Sequence, residues 1–151
     1  MSHVNHFDAS LWQTCDSLYE KGQLLYLKLQ DDYGLNVNLL LLAQWLDEQH
    51  YYLSDQHWQQ LSQQVETWEQ KVLKPYRRLR KLSKHNLAEA EYRQMLSVEL
   101  MLERKSQRMI LRQLRQLPSE QGQANLPRYL GLYQIEIAQY HQLAQTLTRQ
   151  V

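Results

Sequence analysis

Glu99 and Glu103 stand four residues apart in a segment whose apolar residues recur at helical spacing. Steps from Met95 through Glu99 and Leu102 to Ser106 and Met109 put Glu99 beside the apolar stripe, with Glu103 one turn further on. Two carboxylates at that spacing can hold a divalent metal or act as acid and base. They can also form ion pairs with arginines on a neighbouring helix, because a carboxylate near a core needs such partners. Arg77, Arg78 and Arg80 are the arginines at hand, and the paired arrangement is the one expected.

Those arginines belong to the most pointed charge feature of the chain, "KVLKPYRRLRKLSKH". Lys71, Lys74, Arg77, Arg78, Arg80, Lys81 and Lys84 fall in this stretch without one Asp or Glu. On a helix, Lys74, Arg77, Arg78 and Lys81 project together, opposite Val72, Leu79 and Leu82. Such a face can track phosphates, lie on an anionic membrane surface, contact an acidic protein or simply be solvated. Tyr76 is its only aromatic, which is poor support for single-strand stacking.

A third polar group precedes four consecutive leucines. In "LQDDYGLNVNLLLL", Gln30, Asp31 and Asn38 flank a very apolar segment. Asn36 or Asn38 is a natural N-cap, and Gln30 or Asp31 could bond the backbone of a turn at Gly34. The other reading is a small polar pocket between helices, made of Gln30, Asp31, Asn38, Glu99 and Glu103.

No other chemistry is signalled. There is no glycine-rich phosphate loop, no HExxH, no cysteine pair and no nucleophile elbow. Cys15 sits on an apolar helix face, where a buried thiol is inert. Of the histidines, His3 and His6 lie near the terminus. Asp47 and His50 are three apart, but nothing supplies further metal ligands. No cofactor is expected, and enzymatic activity is not signalled.

The elements that must position these groups read as helices. Leu11, Trp12, Cys15, Leu18 and Tyr19 form a first stripe, with Asp8 or Ser10 as cap and Gly22 as its end. A second helix runs to about Asp32, with Gly34 after it. A third follows to about Glu48. From Ser54 the apolar steps persist across Pro75 to Leu82, which predicts one long helix kinked at Pro75. Asn86 would cap the next helix, to about Arg115. Residues 116–127 read as a loop bounded by Pro118 and Pro127, and one last helix carries Tyr129 to Leu147. The expected fold is all-α, a single-domain bundle of about six helices over residues 1–151, with 1–7 frayed.

Composition agrees. Only four glycines and three prolines occur, too few turn residues for a β-rich fold of this length. The longest apolar run, Leu39 to Ala43, is far short of a transmembrane span. A lone cysteine and the absence of a signal-like start point to the cytoplasm. The net charge of +1 hides an asymmetry: residues 1–70 carry ten Asp/Glu and two Lys/Arg, residues 71–151 six and fifteen. Either the two halves complement each other, or a basic face meets an acidic partner such as nucleic acid.

"LKLQDDYGLNVNLLLLAQWL" resembles the signature of a small proteobacterial family, a domain of unknown function: L-x-L-Q-D-x-x-G-x-x-V-N-L-L-L-x-x-x-W. The matching residues are Leu27, Leu29, Gln30, Asp31, Gly34, Val37, Asn38, Leu39, Leu40, Leu41 and Trp45. The resemblance extends to "LWQTCDSLYEKGQL", to "KPYRRLRKL" and more weakly to "ELMLER", most of the first hundred residues. It implies a small cytoplasmic helical bacterial protein and carries no activity with it.

Three functions are therefore expected in order. The first is a non-enzymatic interaction or regulatory protein using the basic face of 71–84. The second is a small-molecule binder or enzyme using the polar pocket. The third is nucleic-acid or ribosome binding. Tyr51, Tyr52, Tyr129 and Tyr133 would support a homodimer if they are exposed.

Overall fold

The computed structural model describes residues 7–148. They form α1 (Leu11–Lys21), α2 (Gln23–Tyr33), α3 (Val37–Glu48), α4 (Asp55–Trp68), α5 (Lys74–Ser83), α6 (Glu89–Leu114), α7 (Asn125–Gly131) and α8 (Ile137–Thr148). A π turn, Glu69–Leu73, joins α4 to α5 without a break, so the described residues make seven separate rods. No strand occurs among them. The all-α expectation holds, and the helix number is slightly higher than expected.

α3 is the centre. Leu39, Leu40, Leu41, Leu42, Ala43 and Leu46 are all buried, so this helix is apolar nearly all round. Asn36 is its N-cap: the side-chain Oδ1 accepts from the Leu39 N–H at 3.1 Å. Asn38 is not the cap. Before it, Gly34 takes φ +72°, and its N–H closes on the Gln30 carbonyl at 2.9 Å. The turn is thus closed by backbone, not by the side chains of Gln30 or Asp31. α1 ends at Gly22 as expected, and near its start the Asp8 carboxylate, rather than Ser10, accepts the hydrogen bonds.

α7 fixes α3 at both ends. The Tyr129 hydroxyl accepts from the Asn36 N–H at 2.9 Å and donates to the Asn36 carbonyl at 3.2 Å. At the other end, the Asp47 carboxylate accepts from the Asn125 and Leu126 N–H groups at 2.6 and 3.0 Å. A carboxylate on exposed helix N-terminal amides is favourable there.

Asn125 itself is completely buried. Its Oδ1 accepts from the Leu53 N–H at 2.8 Å and from Trp58 Nε1 at 3.1 Å, and its Nδ2 donates to the Tyr51 carbonyl at 2.8 Å. One amide therefore satisfies the backbone of the α3–α4 connection and an indole that the core would otherwise strand.

Several expectations are corrected. The loop is shorter than 116–127, because Asn125–Gly131 is helical and Pro127 sits in its first turn, where a missing N–H costs nothing. The last helix is two helices, separated by a turn in which Gln134 takes φ +60°. Asn86 does not cap α6. Ala88 does, with the Glu91 carboxylate accepting its N–H at 2.8 Å. Phe7 is not frayed: its ring packs edge-on against Trp45 and Tyr51. Residues 1–6, with His3 and His6, lie outside the described residues. Tyr51 and Tyr129 are buried, and Tyr52 and Tyr133 half-buried, so they offer no open tyrosine face for a homodimer.

α5 buries no residue, and α6 buries none before Ser106. α5 and the first two-thirds of α6 thus form a helical hairpin, the arm, outside the core. Its root is held by Trp68 Nε1 donating to the Leu102 carbonyl at 3.0 Å, and its middle by Tyr76 Oη donating to the Met95 carbonyl at 2.8 Å.

Replacing Asn125 with Ala should remove about 3 kcal/mol of stability, since three buried partners lose their bonds. Gly34→Ala should cost about 1 kcal/mol from the left-handed backbone alone, because a Cβ there meets nothing within 4 Å. Urea unfolding checks both, as a lowered midpoint with an unchanged slope.

Candidate functional site

The basic run divides into two classes once it is folded. Arg77 and Arg80 turn inward, toward α6. Arg80 pairs with Glu99 through Nε, and its Nη1 donates to the Tyr92 hydroxyl at 2.9 Å. Arg77 lies 3.1 Å from Glu103, 3.3 Å from Glu69 and 3.9 Å from Glu99. Two guanidiniums thus tie three carboxylates together across the arm. Arg80 and Glu99 are each only 15% exposed at the side chain, so this is no loose surface contact. Planar, multi-donor arginine suits such a site better than lysine.

The second class points outward. Lys71, Lys74, Arg78, Lys81 and Lys84 are exposed. Lys84 lies over the Tyr92 ring, 5.8 Å from its centre. Leu79 and Leu82 are 53% and 70% exposed among these cations, and across the hairpin Leu96, Val98, Leu100 and Met101 are open as well. Burial of apolar surface is the main driving force of folding, and these side chains are left out of it.

At the arm's root a polar cleft of about 570 Å³ opens between the α2–α3 turn, the π turn and α6. Gln30, Asp31, Asn38 and Glu103 all line it. Glu99 does not; it is taken up by Arg80. Asn38 is half-buried, and its Oδ1 accepts a long 3.4 Å bond from Gln107 Nε2. Three further lining groups gave no signal in the sequence. Glu69 stands at the start of the π turn, and burial raises its carboxyl above the usual range. Ser106 and Gln107 sit in a stretch of α6 that reads as ordinary amphipathic helix.

The remaining candidates resolve simply. Asp47, occupied by α7 amides, is not available to pair with His50 around a metal. Among the described residues no group of three or more His, Cys, Asp or Glu is placed to hold a metal ion. His57 faces Glu120 at 3.7 Å. Cys15 is buried, and burial, with smaller contributions from Asp16 and Glu48, pushes its thiol up to about 12. No described helix is long and apolar enough to cross a membrane.

Two outcomes follow. A double-mutant cycle on Arg80→Met and Glu99→Gln should give a coupling energy of about 1–2 kcal/mol, measured by urea unfolding. Iodoacetamide at pH 8 should leave native Cys15 unmodified and alkylate it in denaturant, as mass spectrometry would record, because only the thiolate reacts and the folded thiol stays protonated.

No curated protein and no solved structure matches the chain. A family model described as a protein of unknown function (DUF2390) matches residues 10–110, from the first helix to the point where α6 joins the core. The chain belongs to that family.

Proposed function

We propose that the protein is a non-enzymatic interaction protein whose arm docks on an acidic protein surface. The carrying observation is the outer face of α5, a helix that buries nothing, where Arg78 and Lys81 stand beside Leu79 and Leu82, with Lys84 just past its end. A helix that adds no core and keeps leucines in water has its apolar face still to cover. The cations around it supply electrostatic steering toward a negative partner.

The mixture of leucine and cation favours protein over nucleic acid. Phosphates reward the charge but not the leucines. Base stacking needs open aromatic faces, whereas Tyr76 and Tyr92 are half-buried with their hydroxyls used inside the arm. Nucleic-acid or ribosome contact is thus the second reading, resting on the same cations. Cytoplasmic residence fits the buried, unpaired Cys15.

The inward arginines dictate how this is tested. Reversing Arg77 or Arg80 would break the ion-pair network and confuse folding with binding. Arg78→Glu, Lys81→Glu and Lys84→Glu together touch none of those ion pairs, and circular dichroism checks that the loss of the Lys84–Tyr92 contact leaves the fold in place. A photo-crosslinker at Leu82 should capture a defined acidic protein, the triple variant should lose it, and the yield should fall as salt rises. Unchanged capture by the triple variant would refute the reading. Capture of RNA in place of protein would move it to nucleic acid.

A further inference from the structure

We propose that the polar cleft at the root of the arm is a binding site for a small organic cation, a diamine or polyamine. The site is separate from the outer face of the arm and would exist whether or not that face docks a protein.

Charge selects the ligand class. Five carboxylates line the cleft, on Asp16, Asp31, Glu66, Glu69 and Glu103. Three cations face them: Lys74, Arg77 and Arg104. Arg77 is already shared among Glu69, Glu99 and Glu103. The cleft is therefore negative after its own pairing, and a positive guest is what reduces the imbalance. Metal ions are disfavoured, because the carboxylates are not gathered closely enough to hold one.

A second, independent observation points to a ligand. Ser106 lines the cleft, is only 2% exposed, and its hydroxyl has no hydrogen-bond partner. A buried hydroxyl left without a partner is destabilising. It is an acceptor as well as a donor, so an ammonium N–H can donate to it once the wall of the cleft shifts to uncover the oxygen. Asn38 and Gln107, joined only by the long 3.4 Å bond, add amide oxygens with acceptor capacity to spare. The lining is mostly acceptors, which suits a guest that is mostly donors.

The cleft is also built rather than incidental. The π turn Glu69–Leu73 puts Glu69, Leu73 and Lys74 on its wall, and single π turns inside α-helices recur at functional sites. Its volume of about 570 Å³ accommodates a molecule of the size of spermidine.

The test is calorimetric titration of the whole chain with 1,4-diaminobutane and spermidine, and with inorganic phosphate as the anionic control. Either amine should bind with a Kd below about 1 mM at moderate salt, and phosphate should not. Asp31→Asn, at an exposed position in the last turn of α2, and Glu69→Gln should each weaken the amine by about tenfold. Glu136→Gln, an exposed carboxylate outside the cleft, should leave it unchanged. Circular dichroism verifies the fold of each variant, and Asp31→Asn keeps the test valid if Glu69→Gln unfolds. Amine binding that is equal in the Asp31 and Glu136 variants would mean a general surface effect and overturn the proposal. So would the absence of amine binding, or binding of phosphate instead.

Discussion

The buried amide of Asn125 is the interaction on which the rest of the molecule depends. The connection between α3 and α4 turns inside the protein, and there the Tyr51 carbonyl and the Leu53 N–H bond to a side chain, that of Asn125. Asn125 is both acceptor and donor, and it pairs both groups and the Trp58 indole at once. Its own N–H goes to Asp47, which closes α3 onto α7. Remove that amide and three polar groups lose their shared partner while remaining buried. A leucine of similar volume would fill the space without answering any of the three polar groups.

With the body closed in this way, the arm is held by a different physics. The body rests on leucine burial around α3; the arm rests on two arginines, three carboxylates and two tyrosine hydroxyls. Ion pairs at the surface contribute little singly, and gain weight here by sharing and partial desolvation. Such a network fixes direction well while adding less cohesion than a core. It leaves the opposite face of α5 free to carry leucines and cations in water. The same Arg77–Glu103 and Arg77–Glu69 pairs form a wall of the cleft, so the arm's position and the cleft's shape are set by the same residues.

Much of this was legible in the sequence, for physical reasons that differ by residue. Helical class, α1 to α4 and the glycine after α2 follow from local periodicity and backbone preference. Pairing of Glu99 and Glu103 with arginines follows from the cost of an unpaired carboxylate near apolar positions. The split between inward Arg77 and Arg80 and outward Arg78 and Lys81 was not legible, since it depends on where α6 packs. Asn125 was invisible because it lies in a run of Gln, Gly, Ser and Asn that reads as loop, and only a non-local contact makes it core. Glu69 reaches Arg77, eight residues on, a spacing that no regular helix pairs, through a π turn that propensity does not signal.

The central claim is that arm and body are separately stabilised, and native-state hydrogen exchange measures that directly. Amides of α3 and α4, around Leu42 and Leu61, should exchange only through global unfolding. Those of the arm, around Leu79 and Leu96, should exchange through an opening of distinctly lower free energy that is less sensitive to denaturant. Equal protection in both, with the same denaturant dependence, would make the arm part of the core's cooperative unit and contradict the claim.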